Sequence, residues 1–163
     1  MIFEIKKIEA CFELTAYNKQ YQKGLRSESV SNRKYIQTER APKAIGAYSQ
    51  AVRYEQTVWI SGQIPLDPVS MEVIGNADSD EGVRSQIMQV FTNLTCICED
   101  SGGSLREIVK LNIFLTDMSH FHLVNEVMES VFEKPYPARA AVGVLSLPKN
   151  VCIEAEAIMI IEN

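Results

Sequence analysis

An α+β domain, with two helices covering one face of a mixed sheet, is predicted by three features of the sequence. Apolar residues recur at helical spacing in two separate stretches, one running from Val83 to Ile97 and one from Phe121 to Val131. Before, between and after these stretches lie short runs rich in valine, isoleucine and aromatic residues. Glycine and proline mark the changes of pattern, and the order reads strand, strand, helix, strand, helix, strand, strand.

Taken in chain order, residues 1–31 read as an N-terminal extension, frayed or loosely docked, ahead of a domain spanning 32–163. Alternatively Val30 is the true start, read from a valine codon, and the preceding stretch is an artefact of start-site assignment. Tyr48 to Ile64 reads as a hairpin broken at Tyr54-Glu55-Gln56, and the acidic, glycine-containing segment from Leu66 to Gly82 as a surface loop. Val83, Ile87, Val90, Leu94 and Ile97 form one buried helical stripe, stopped by Gly102 and Gly103. Ile108 to Thr116 alternates, with Val109, Leu111, Ile113 and Leu115 on one face and Lys110 and Asn112 on the other. Phe121, Val124, Met128 and Val131 form a second stripe, with Asp117 or Ser119 as its N-cap and Lys134-Pro135-Tyr136-Pro137 beyond its end. Arg139–Val144 and Val151–Ile161 read as the last strands, joined by a turn through Pro148-Lys149-Asn150.

At 163 residues, with 46% hydrophobic and 23% charged side chains, the chain fits one domain whose core needs neither disulfides nor a metal. Its 16 basic and 21 acidic residues leave a net charge of -5, which offers no broad footprint for nucleic acid or an anionic membrane. Small molecules are the expected ligands. No run approaches the roughly 20 apolar residues of a membrane-spanning helix. Cys11, Cys96, Cys98 and Cys152 show no secretory framework, so a reducing, cytoplasmic location is expected. Cys96 and Cys98 diverge by about 200° on a helix and so share no local metal, and His120 and His122 fail as a zinc pair for the same reason. Core thiols and surface histidines are the reading that remains.

Two groups stand out chemically. Glu154 and Glu156 share one face of the last strand, opposite Val151, Ile153, Ala155, Ala157 and Met159. They are either part of a solvated face or carboxylates lining a subunit cleft. Arg139 follows a stiff Pro-x-Pro-x turn, and its guanidinium suits either a bidentate carboxylate or phosphate contact or a surface ion pair. The chain has no Walker loop, GxGxxG, GxSxG, HExxH or CxxC, which disfavours nucleotide enzymes and covalent hydrolases. What is left is a site built on electrostatics, backbone groups and a positioned water.

Four blocks, in order, resemble the RidA family, also called YjgF-like proteins. They are Ala41-Pro42-Lys43-Ala44-Ile45-Gly46-Ala47-Tyr48-Ser49-Gln50, Ile60-Ser61-Gly62-Gln63-Ile64-Pro65, Tyr136-Pro137-Ala138-Arg139, and Leu147-Pro148-Lys149 leading to Ile153-Glu154-Ala155-Glu156. The resemblance runs from about Ser31 to Ile161. It implies a chorismate-mutase-like α+β fold, assembled as a homotrimer with ligand clefts between adjacent subunits. It also implies hydrolytic deamination of reactive enamines and imines, such as 2-aminoacrylate and 2-iminopropanoate, to 2-keto acids and ammonia. No cofactor or metal is implied, and pyridoxal-phosphate-dependent dehydratases would release the substrates. By position, Arg139 matches the family's carboxylate-binding arginine and Glu154 the acid associated with the hydrolytic water. Tyr48, Ser61, Gly62 and Asn125 match other residues lining the cleft.

Three positions depart from the family's usual pattern. Ala141 stands where many members have cysteine, Leu145 where a small or polar residue is usual, and Ala155 lies between the glutamates. Ala141 removes any thiol chemistry, which hydrolysis by water does not need, and leaves cleft shape and substrate preference open. The readings kept beside the imine deaminase are a non-catalytic trimeric module binding small carboxylates, and a ribonuclease or translation inhibitor. The acidic balance and the absence of a basic, aromatic-studded stripe weigh against the last.

Overall fold

The computed structural model describes residues 32–162, so Cys11 and the extension 1–31 lie outside the described residues. In chain order the elements are β1 (Arg33–Ile36), β2 (Ala51–Tyr54), β3 (Thr57–Gln63), α1 (Asp80–Asp100), β4 (Ile108–Leu115), α2 (Phe121–Val131), β5 (Ala138–Gly143) and β6 (Ile153–Ile160). The strands form one sheet in the order β1-β2-β3-β6-β4-β5. Only β4 and β5 run parallel, as the intervening α2 requires, and the other pairs are antiparallel.

Alternation along β6 sets the layers. Ile153, Ala155, Ala157 and Met159 are buried against the helices, with Leu111, Ile113 and Leu115 of β4 beside them. From α1 the whole expected stripe, Val83, Ile87, Val90, Leu94 and Ile97, is fully enclosed. At the edge of this core Phe91 meets Phe132 edge-on, their ring centroids 5.6 Å apart. The opposite face of the sheet is open and carries Tyr35, Trp59 and Ile160 as exposed apolar side chains.

The ends of α1 follow from identifiable residues. Ser79 Oγ accepts the Gly82 amide, and Asp80 and Glu81 occupy the first turn, where the helix dipole favours acids. At the other end the Gly103 amide donates to Cys98 O and the Gly102 amide to Glu99 O, a Schellman closure made possible by Gly102 at a φ of 92°. Arg53 of β2 donates to Ser101 O and so brings a cation to this helix terminus.

Several expectations need correction. The helix begins at Asp80, so the surface loop ends before Gly82 and not at it. The loop also has a small core of its own, in which Leu66 packs with Ile64 and Val151. Strand β1 was not expected, because three of its four residues are exposed and it pairs on one side only. Val109 does not face inward with Leu111. A register shift opposite Met159 and Ile158 makes it the extra residue of a bulge, and Ile108 takes the buried place. In α2 the fully covered residues are Leu123, Val124, Val127 and Met128, whereas Phe121 and Val131 sit at the margin. Asp117 caps a 3-10 turn over Met118–His120 and not α2 itself. His122 is exposed, but His120 is half-buried and its Nδ1 is enclosed. The apolar face of Val151–Ile161 lies under the helices, and the uncovered apolar side chains are those of the other face.

Buried amide side chains close the segments that the sheet ladder does not satisfy. Gln50, 3% exposed, accepts the Thr38 amide through Oε1 and donates through Nε2 to the carbonyls of Thr38, Ala41 and Pro42. Asn93 donates to Ile64 O and Leu66 O, and Gln86 accepts the Cys152 amide. Gln50→Leu strands several buried backbone groups, and the expected cost is about 2 to 4 kcal/mol, read as a lower urea midpoint with an unchanged m-value.

Candidate active site

Arg139 enters its site from the edge strand β5, directly after Pro137-Ala138. Its cross-strand partner is Leu111, which places it on the helix-bearing face of the sheet. Its guanidinium carbon lies 5.0 Å from the centroid of the Phe121 ring, and Nη1 is 3.1 Å from Met128 Sδ. Stacking of this kind holds the planar fork without using up its hydrogen-bonding capacity on an acid. Among the described residues Arg40, Arg84 and Arg106 form ion pairs, whereas Arg139 forms none. The surface ion pair considered for Arg139 is therefore not what the structure contains. Arg139 lines a cavity of about 330 Å³ together with Asn125, Met128, Glu129, Tyr136 and Pro137.

Glu154 lies on the open face. It shares a second cavity, of about 230 Å³, with Tyr48, Ser61, Gly62, Ile45, Ile64 and Pro148. The two glutamates differ in a way that spacing alone does not reveal. Glu156 faces Asn112 of β4 and accepts its amide at 3.0 Å. Glu154 faces Phe114 and has no side-chain hydrogen bond among the described residues. Burial raises the Glu154 carboxyl above its ordinary value, and the Glu156 carboxylate adds to the rise. A half-buried carboxylate with a raised proton affinity and no donor is suited to accept a proton from a positioned water.

Two strands bring the rest of this cavity together. β3 bulges against β6 between Ile60 and Gln63, which turns Ser61 and Gly62 toward Glu154. Ser61 donates its amide to Gln50 O at 3.0 Å and its hydroxyl to Ser49 O at 2.7 Å, so the bulge is anchored to the two residues that lead into β2. Gly62 gives room: a Cβ there would overlap Glu154 Oε1. The Tyr48 ring is half exposed, and its hydroxyl accepts the Ile45 amide at 3.2 Å.

The six residues singled out from the sequence thus fall into two groups within one chain. Tyr48, Ser61, Gly62 and Glu154 line one cavity; Asn125 and Arg139 line the other, on the opposite face of the sheet. The sequence reading missed Phe121 and Met128 as the support for Arg139, although the helical stripe contained both, and it missed Pro148 as a wall beside Glu154. Of the departures from the family pattern, Ala155 faces the core and cannot shape either cavity. Ala141 is on the helix face two residues beyond Arg139, packed against the core, and Leu145 is fully exposed. Cys98 and Cys152 behave as packing groups: burial pushes the Cys98 thiol up to about 12 and the Cys152 thiol up to about 11. Among the described residues no group of histidines, cysteines and acids has the makings of a metal site, and no helix is long and apolar enough to cross a membrane.

Comparison with known proteins gives this arrangement a family. The family model described as Endoribonuclease L-PSP matches residues 38–161. A 2-iminobutanoate/2-iminopropanoate deaminase of Dermatophagoides farinae is 40% identical over 133 residues, 82% of this chain and 100% of the relative. The crystal structure of RidA from an Antarctic Psychrobacter is 48% identical with a TM-score of 0.73, covering 78% of this chain and 99% of the other. Escherichia coli TdcF, solved with bound serine, is 39% identical with a TM-score of 0.72, covering 79% and 99%. With the family model and these relatives aligned over most of its length, the chain belongs to the RidA family of YjgF-like proteins, which also bears the description Endoribonuclease L-PSP.

Proposed function

We propose that the protein hydrolyses reactive 2-imino acids and their enamine tautomers, of the 2-aminoacrylate and 2-iminopropanoate type, to 2-keto acids and ammonia. The observation that carries this reading is the pairing of chemistries: among the described residues, a stacked guanidinium with no acid partner and a half-buried carboxylate with no donor. A relative of 40% identity bearing the name of that deaminase supports it.

Arg139 holds the substrate carboxylate by two parallel hydrogen bonds, which fixes the adjacent imine carbon in space. Glu154 orients a water and takes its proton as the oxygen attacks that carbon, giving a tetrahedral carbinolamine. Glu154 passes that proton to the imine nitrogen to complete the carbinolamine; a second proton, relayed from the carbinolamine hydroxyl to nitrogen, then releases ammonia as the C–N bond breaks and leaves the keto oxygen. Atoms balance as imine plus water to ketone plus ammonia, so the reaction needs no redox partner. Tyr48, Ser61, Gly62 and Asn125 bound the cleft.

Arg139 and Glu154 line separate cavities in one chain, and this reading therefore requires a second copy: a homotrimer in which adjacent subunits bring the two groups together. The exposed Tyr35, Trp59 and Ile160 on the open sheet face support such an assembly. The activity belongs to residues 32–163 in the cytoplasm, with 1–31 as an extension, downstream of pyridoxal-phosphate-dependent dehydratases that release imines. A second reading, a trimeric module that binds small carboxylates without turnover, is favoured by the serine in Escherichia coli TdcF.

Turnover separates the two. Purified protein added to a serine or threonine dehydratase is expected to speed keto acid release. Arg139→Ala should abolish that acceleration in an intact trimer, through the loss of about 2 to 5 kcal/mol of carboxylate binding, and Arg139→Lys should restore little of it. A monomer by light scattering, or a fully active Arg139→Ala trimer, overturns the shared-cleft mechanism. Binding of serine without acceleration establishes the second reading.

Glu154→Gln should slow turnover by roughly 100-fold or more, and its effect on stability should have the opposite sign. Below the ordinary glutamate range both folded and unfolded chains hold the proton, and the raised proton affinity carries no penalty. As the pH rises through the raised folded value, the native state must ionise a carboxyl beside Glu156, and that contribution to stability is lost. The glutamine variant should thus be the more stable protein at neutral pH, with an advantage that disappears in acid. Urea midpoints across pH check this.

A further inference from the structure

The bulge that admits Glu154 is held from beneath by a residue that the deaminase mechanism does not use. Gln63 closes β3, pairs with Ala155 and is 5% exposed. Its Nε2 donates to Ser61 O at 3.0 Å and to Gly62 O at 3.3 Å, the carbonyls of the two bulge residues. A bulge removes residues from the regular ladder and leaves their backbone groups in need of other partners. Here one carboxamide serves both carbonyls from the core side, while Gln50 O and Ser49 O, just before β2, secure Ser61. On the other side of the same backbone, Gly62 lies so close to Glu154 that not even a methyl group fits between them. The position of the Glu154 carboxylate therefore depends on where the bulge backbone sits, and Gln63 is the group that holds both bulge carbonyls.

We infer that Gln63 is a positioning residue for the hydrolytic centre, acting through the Ser61–Gly62 backbone to hold Glu154 at the distance that water activation requires. This rests on the deaminase reading for its consequence in turnover, but not for its consequence at the Glu154 carboxyl. Gln63→Met keeps length and apolar bulk and removes both donors. The bulge is then free to relax, and the carboxylate moves out toward solvent. Gln63→Glu keeps the shape but turns an acceptor toward two carbonyl oxygens when ionised; when protonated it regains one donor.

Three measurements on intact protein test this. In Gln63→Met, kcat should fall about 10- to 100-fold, the scale of a misplacement near 1 Å, while KM changes little because the Arg139 cavity is untouched. The carbon-13 NMR titration of the Glu154 carboxyl should move down toward the ordinary glutamate value, whether or not substrate is turned over. In Gln63→Glu, the deficit relative to wild type should shrink as the pH falls. A folded Gln63→Met protein with wild-type kcat and a wild-type Glu154 titration overturns the inference. If Gln63→Met does not fold, a Gln63→Glu deficit that is constant with pH overturns it. A wild-type protein without turnover overturns the deaminase reading alone, and the NMR titration of the two proteins then still decides the role of Gln63.

Discussion

The period-two alternation of β6 is the constraint on which the rest of the molecule depends. This strand sits between β3 and β4, so every second residue must disappear beneath α1. Ile153, Ala155, Ala157 and Met159 meet that demand, which forces Glu154 and Glu156 onto the open face. A slip of one residue would bury two carboxylates and expose the core, so the register that builds the core also places the acids. Once they share a face, cross-strand partners distinguish them. Asn112 satisfies Glu156, and Phe114 leaves Glu154 without a donor among the described residues, half covered and close to a like charge.

The same register places Arg139. Parallel pairing through α2 sets it opposite Leu111, on the helix face, where Phe121 and Met128 receive its guanidinium. At an interior strand that position would bury a charge without a counter-ion, which is costly. β5 is the last strand of the sheet, so the head group can lie against an aromatic ring and still open into a cavity beside Asn125 and Tyr136. An edge strand is where a chain can keep an uncompensated guanidinium available to a ligand.

The elements legible in the sequence were those whose burial follows one period without interruption. The α1 stripe and the β6 alternation are of this kind, and both lie where the pattern places them. What escaped was decided by contacts between segments. β1 shows almost no burial contrast because it pairs along only one edge. Val109 is apolar and in phase with Leu111, yet a bulge against β6 turns it out. Gln50, Gln63, Gln86 and Asn93 are polar and belong to none of the apolar stripes, yet each is buried and bonded to backbone outside the regular ladder. The site residues were found through the four motif blocks. Their division between two cavities on opposite faces was not legible, because it depends on which face of β5 and which face of β6 each side chain takes.

Those buried amides explain how irregular backbone persists around the Glu154 cavity. Residues 37–50, between β1 and β2, have no strand or helix of their own, and the Ser61–Gly62 bulge has left its ladder, so neither is held by repeating hydrogen bonds. A carboxamide meets this need better than a charged group, since it offers both donors and an acceptor with no net charge to desolvate. Gln50 uses both functions, accepting one amide and donating to three carbonyls, whereas Gln63 uses only its donors. Rigid amide anchors on the core side are thus the counterpart of the unsatisfied carboxylate on the cavity side. The fold places its satisfied polar groups beneath the site, and it leaves Glu154 and Arg139, the two groups facing cavities, with hydrogen-bonding capacity to spare.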